Sequence, residues 1–387
     1  MAGAYDTLKV LDLTHVLAGP FCTYQFALLG ADVIKIEPPA APDCARGRGP
    51  DAAANAAGLG WTYQVQAANK RALALDLTRP QGREVLLRLA AEADVLVENF
   101  TTGSLAALGL GAEEMRARYP RLIYCSITGY GDTGPRAGTG AYDNVIQAAS
   151  GIIAQSKGHK PGLSFVDYAT GYAAAFAISA ALAQRDRTGE GAAISVSMLE
   201  TALSMMAPEA AALTHDIQTP KRREAGLLAY ETAEGTLVPG VFTPAQYRRL
   251  GHCLEAEGTP LPLLAACDDW PAVWQHGPAL ETGLRAVFAG RDADDWVTLL
   301  HRHGLPAERV QTLGEAIAAA QIDARGYFAP HPEDGPPLPL GPSRFSTGGP
   351  EIRSAPPRHG GQSDDILAEH GLTAAEIAAL RAEGVIL

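Results

Sequence analysis

The stretch Phe165-Val166-Asp167-Tyr168-Ala169-Thr170-Gly171 sets one carboxylate between two apolar residues and a long alanine-rich run. Taking an ionised carboxyl out of water is costly unless something compensates it. Asp167 therefore has either a structural or a chemical reason to be there. The structural reason is a helix N-cap, whose side chain accepts from the first free N–H groups. The chemical one is a role in an active site. Asn69-Lys70-Arg71 places two cations before an apolar run, as a solvated turn or as a phosphate clamp with Lys as a point charge and Arg as a fork. Gly129-Tyr-Gly-Asp-Thr-Gly-Pro135 follows a strand-like run, at the edge where open α/β sheets bind ligands. Lys221-Arg222-Arg223 is a second cationic cluster, suited to an anion or simply solvated.

Composition removes several function classes. The 387 residues carry a net charge of -12, so a polyanion is repelled and nucleic acid is not an expected partner. The 5 cysteines and 10 histidines show no metal-like spacing; the cysteines read as reduced thiols, and no metal is expected. The N-terminus lacks a signal-like h-region and the most apolar stretch, Gly171 to Ala183, is too short to span a bilayer. A cytoplasmic protein without membrane association is the expectation. Thr14-His-Val-Leu-Ala-Gly-Pro20 has one glycine where a dinucleotide fingerprint needs three, which argues against NAD even though Glu37 stands where a ribose-binding acid would.

Strand-like runs at Leu8–Leu13, Ala31–Glu37, Leu73–Leu77, Asp94–Glu98 and Leu122–Ile127 alternate with helical segments near 20–29, 80–91 and 112–119. That alternation predicts a doubly wound, Rossmann-like parallel sheet in a large domain. Residues 38–60 read as a long surface loop. From about 218 the texture changes to a hairpin, 230–242, and amphipathic helices at 246–257 and 293–303, which predicts a smaller α+β domain. Residues 329–361, rich in Pro and Gly, read as a strap, and Asp364 to Leu387 returns to helical periodicity with Gly371 and Thr373 as caps. The expected division is thus 1–217, 218–328 and 329–387, the last returning to the large domain.

Seven segments in order resemble the family III CoA-transferases, the CaiB/BaiF family of formyl-CoA transferase and the α-methylacyl-CoA racemases: VLDLTHVLAGPFCT (10–23), GADVIKIEPP (30–39), NKRALALDL (69–77), ADVLVENFTTG (93–103), PRLIYCSITGYGDTGP (120–135), RTGEGAAISVSMLE (187–200) and AEHGLTAAEIAALRAEGVI near the end. The family's catalytic acid lies in D-x-x-[ST]-G, followed by R-x-x-T-G-x-G; Asp167-Tyr-Ala-Thr170-Gly171 and Arg185-Asp-Arg-Thr188-Gly189-Glu-Gly191 match it. The resemblance implies that Asp167 is the nucleophile, kept ionised by the positive end of a helix. It implies Asp143, in Tyr142-Asp143-Asn144, as the second active-site acid. It also implies coenzyme A contacts from Val16, Leu17, Ala18, Arg46, Asn69, Lys70, Arg71, Asn99, Phe100 and Tyr142. Coenzyme A is then a substrate, no cofactor is permanently bound, and acyl-CoA and small carboxylic acids are the partners of an interlocked homodimer.

The racemase branch needs a histidine where this chain has Tyr142, and a G-x-x-E-P carboxylate where it has Gly240-Val-Phe-Thr243-Pro244. Both departures favour CoA transfer over the alternatives, racemisation and non-catalytic CoA binding. The nucleotide-contacting Arg of L-x-R-L-G is also missing, since Leu105-Ala-Ala107-Leu-Gly holds alanine there. The phosphate contacts are therefore expected from Arg46, Arg48, Lys70 and Arg71.

Overall fold

The computed structural model describes residues 3–215, 223–333 and 335–387. Two compact units are present, one of residues 1–210 with 326–387 and one of residues 211–325. The expected boundary at 217 and 218, and part of the Lys221-Arg222-Arg223 cluster, lie outside the described residues.

In the larger unit six strands pair in parallel: β1 (Lys9–Leu13), β2 (Asp32–Glu37), β3 (Lys70–Ala74), β4 (Val95–Glu98), β5 (Ile123–Thr128) and β6 (Ala193–Ser197). Their order is β3-β2-β1-β4-β5-β6, the doubly wound arrangement in which the chain reverses direction between β1 and β4. Alternate residues feed two cores, as the period of a strand requires. Val10, Val33, Val95, Val97, Ile123 and Cys125 pack on one face, beneath helix α1 (Ala18–Leu28) and the long helix Phe165–Thr188. Leu11, Leu13, Ile34, Ile36, Leu96 and Tyr124 pack on the other, under Leu86, Leu89 and the C-terminal Ile366, Ile377 and Val385. Thr373 caps the last helix with a reciprocal Glu376 contact.

Three local expectations are corrected. The third strand begins at Lys70, not Leu73, so the two cations belong to the strand and point to opposite faces. Residues 38–60 are not a structureless surface loop: helical turns form at Cys44–Gly47 and Ala52–Ala56, and Asp43 and Arg46 are buried. The apolar stretch around Gly171–Ala183 belongs to a helix of 24 residues, long and apolar enough by length and composition to cross a bilayer.

The smaller unit, taken alone, holds a three-stranded antiparallel sheet of Tyr230–Glu231, Thr236–Pro239 and Ala307–Arg309, the first two forming the expected hairpin. Helices Pro244–Ala256, Trp270–Phe288 and Ala293–Arg302 close a core around Leu250, Leu280, Phe288 and Trp296.

Candidate active site

A cleft of about 640 Å³ opens at the carboxyl ends of the parallel strands, where the order reverses. Its walls are the segments that leave β1 (His15, Val16, Leu17, Ala18), β4 (Asn99 to Thr102) and β5 (Thr128, Gly129), with Ala141, Tyr142, Asp167 and Met198. This is the edge where an open parallel sheet offers loop backbone and helix N-termini to a ligand.

Asp167 lies in the first turn of the long helix, whose N-cap is Ser164. It does not cap. The helix is instead capped from elsewhere in the chain: Asp143 Oδ2 accepts from Val166 N–H at 2.8 Å and Asp167 N–H at 3.1 Å. Asp143 is 5% exposed and also accepts from the Gln147 side chain, which reaches Leu163 O at 3.0 Å. Asp167 is thus left half-buried with a second carboxylate beneath it. Burial, and then the charge of Asp143, raise its pKa from 3.8 to about 7. The expectation that the helix end keeps this acid ionised is overturned, because the amides that would have done so are already bonded to Asp143.

Gly171, one turn further on, explains how Asp167 reaches the cleft. A Cβ at position 171 would stand 2.7 Å from Ala18 O and 2.8 Å from Phe21 Cδ1. Only glycine lets the long helix settle against the start of α1. Gly19 does the same service on the facing side, where a Cβ would lie 2.4 Å from Thr14 Cβ. The G of D-x-x-T-G is a packing residue.

The start of α1 is unusual. Leu17 is its N-cap and brings no side-chain oxygen, so the first amides have no capping partner and are free for an anion at the cleft. Just before it, Val16 has φ 70°, a left-handed conformation that costs a β-branched residue about 1–3 kcal/mol. The surroundings enforce it. Val16 N–H donates to Asp43 Oδ1 at 3.0 Å and Val16 O accepts from Gln66 Nε2 at 2.7 Å. Asn99 clamps the preceding residue, accepting from His15 N–H at 2.9 Å and donating to His15 O at 2.8 Å.

Seven of the twelve residues expected at the site therefore line one cleft: Val16, Leu17, Ala18, Asn99, Phe100, Tyr142 and Asp167, with Asp143 directly beneath. The other four are elsewhere. Lys70 is sealed against Asp12 at 2.9 Å, with both side chains 0% exposed, and also donates to Pro20 O and Thr23 Oγ1. Arg46 pairs with Glu37 at 2.6 Å over the Tyr63 ring. Arg71 pairs with Asp32 and Glu369. Asn69 ties the strap to the large unit, donating to Glu351 O and accepting from Arg353 and Ser354 N–H. Arg46 and Lys70, bonded to buried carboxylates, are not free to meet phosphates, so the phosphate role expected of them is corrected to a structural one, while Arg71 is partly exposed and held by Asp32 and Glu369 away from the cleft lining. Thr128 and Met198 were missed, although both lie at strand carboxyl ends, a position legible in the sequence.

The model of "CoA-transferase family III" matches residues 5–363. The succinyl-CoA:glutarate CoA-transferase of Mus musculus is 33% identical, the alignment covering 94% of this chain and 86% of that protein. The succinyl-CoA:mesaconate CoA-transferase of Haloarcula hispanica is 36% identical over 84% of each. Among solved structures, a CaiB/BaiF family protein from Brucella suis superposes with TM-score 0.81 at 30% identity, covering 96% of this chain and 100% of that one. With a half-buried acid at a parallel-sheet switch point and a match along nearly its whole length, the chain belongs to CoA-transferase family III.

Proposed function

We propose that this enzyme moves CoA from an acyl-CoA to a carboxylic acid through covalent intermediates on Asp167. The observation that carries the reading is the placement of the Asp167 carboxyl in the cleft, near the uncapped amides of α1 and above Asp143. A carboxylate oxygen of Asp167 attacks the thioester carbon, the C–S bond breaks, and CoA thiolate leaves a mixed anhydride. The thiolate then attacks the aspartyl carbonyl, releasing the donor acid and forming an aspartyl-CoA thioester. The acceptor carboxylate displaces thiolate from that thioester to give a second anhydride. Attack of thiolate on the acceptor carbonyl releases the new acyl-CoA and restores Asp167. Each step exchanges one activated acyl bond for another, so no nucleotide hydrolysis is required. Fixed N–H donors at Leu17 and Ala18 would meet the oxyanion of each tetrahedral intermediate. The raised pKa supports the reading, since a more basic carboxylate is the better nucleophile once ionised.

The relatives' names pair succinyl-CoA with glutarate or mesaconate, so short dicarboxylic acids are the proposed donor and acceptor class. An interlocked homodimer is the proposed assembly. The test is a mass-spectrometric screen of acyl-CoA and dicarboxylate pairs with wild-type and Asp167→Ala protein. The variant is expected to bind acyl-CoA without exchanging it, and hydroxylamine trapping during wild-type turnover is expected to label the Asp167 peptide. Wild-type exchange rates in Asp167→Ala would end the proposal.

A further inference from the structure

Beneath the cleft lies a set of charges that the transfer chemistry does not use. Lys35–Asp43, Arg46–Glu37 and Lys70–Asp12 pair at 3.2, 2.6 and 2.9 Å, with every side chain at most 3% exposed. Three buried ion pairs are a poor way to stabilise a fold, because apolar residues of similar size commonly serve as well or better. Their bonds run to one place. Lys35 Nζ donates to Thr14 O at 2.7 Å, Asp12 Oδ1 accepts from Thr14 N–H at 3.0 Å, and Asp43 Oδ1 accepts from Val16 N–H. Glu37 Oε1 accepts from Asp43 N–H at 3.0 Å and so fixes Asp43 in turn. From the other side Gln66, 1% exposed, donates to Val16 O while its own Oε1 is buried without a hydrogen-bond partner. An unsatisfied buried oxygen is destabilising, so Gln66 is not explained by stability alone.

We propose that Asp43 and Gln66 are positioning residues for acyl transfer. Together they pin Val16 in its left-handed conformation and so hold the uncapped amides of α1 at the cleft beside Asp167. The proposal rests on the CoA-transfer reading. The strain at Val16 persists because hydrogen bonds on both sides of the residue over-determine it, and its release would let the first turn of α1 drift from the reacting carbonyl.

Gln66→Leu separates positioning from folding, because it removes one bond to Val16 and one unsatisfied oxygen together. The variant is expected to keep or raise the thermal midpoint while kcat falls about tenfold or more and KM for acyl-CoA stays within about twofold. Amide hydrogen exchange in the peptide covering residues 14–20 is expected to quicken in the ligand-free variant. Asp43→Asn, which keeps an oxygen for Val16 N–H, is expected to retain more kcat than Asp43→Ala. Unchanged kcat in Gln66→Leu, or unchanged exchange at 14–20, would overturn the proposal. A wild-type protein silent toward every acyl-CoA and acid pair would sink the transfer reading alone, and the exchange comparison would still decide whether Gln66 pins Val16.

Discussion

At the scale of the residue, the cleft presents two carboxylates with different tasks. Asp143 spends its oxygens on the helix amides and on Gln147, and Asp167 is left with burial and a neighbouring negative charge. The proposed transfer uses Asp167 in its ionised form, and a pKa of about 7 puts protonation in competition with reaction near neutral pH. kcat/KM is therefore expected to climb about tenfold per pH unit below 7 and to level off above it, if ionisation of Asp167 governs the acidic limb. Asp143→Asn removes the like charge, so the limb should move to lower pH. It should stop short of 3.8, because burial is the larger cause of the shift. A pH–rate profile of the two proteins checks this, and coincident limbs would show that Asp143 does not set the basicity of the nucleophile. The sequence motif located Asp167, but its ionisation was not legible, because Asp143 is 24 residues away along the chain and its aim at those amides is a tertiary fact.

At the scale of the element, the site depends on how closely two helices approach. The period-2 and period-3.6 patterns marked five of the six parallel strands and the helices near 20–29, 80–91 and 112–119, since apolar alternation is a local signal, but they gave neither β6 nor the short helices Asp143–Ala149 and Met198–Ser204. They misplaced the start of β3 because Lys70 and Arg71 look like turn residues until their partners Asp12 and Asp32 are known. Gly171 belongs to the D-x-x-T-G pattern in sequence, and its reason in the structure is the contact with Ala18 and Phe21. Gly171→Ala gains about 1 kcal/mol of helix propensity and loses about 1–3 kcal/mol to overpacking. The contact atoms include a backbone oxygen, which cannot swing aside as a flexible side chain can. A lowered thermal midpoint is expected, together with a fall in kcat as Asp167 is levered away from α1. Calorimetry and steady-state kinetics read the two effects; a stable, fully active Gly171→Ala enzyme would show that the helices have room to spare.

At the scale of the whole molecule, the long helix has one face in the core and another that the described residues cover only in part. Val166, Ala174 and Ile178 are buried, whereas Tyr168, Tyr172 and Phe176 rise in a row at helical spacing, Phe176 with 77% of its surface exposed. Phe21 packs edge-on against Tyr168 and Tyr172, which stiffens the row into a platform. A large contiguous exposed aromatic surface marks a contact site. A second copy of the chain is the proposed occupant, consistent with the homodimer that the family resemblance implies; a stable interface of this kind buries on the order of 800 Å² per partner. The proposed assembly comes from the resemblance alone, since the sequence shows an apolar helix and cannot say which face stays uncovered. Sedimentation equilibrium is expected to return twice the chain mass of 40.5 kDa. The paired change Tyr172→Asp and Phe176→Asp should yield a folded monomer, because it puts two charges into the contact and leaves the buried face intact. The same helix has the length and composition of a membrane span, so flotation with phosphatidylglycerol vesicles supplies the rival outcome. A wild-type monomer that floats with the vesicles would assign the aromatic row to a lipid surface and remove the dimer.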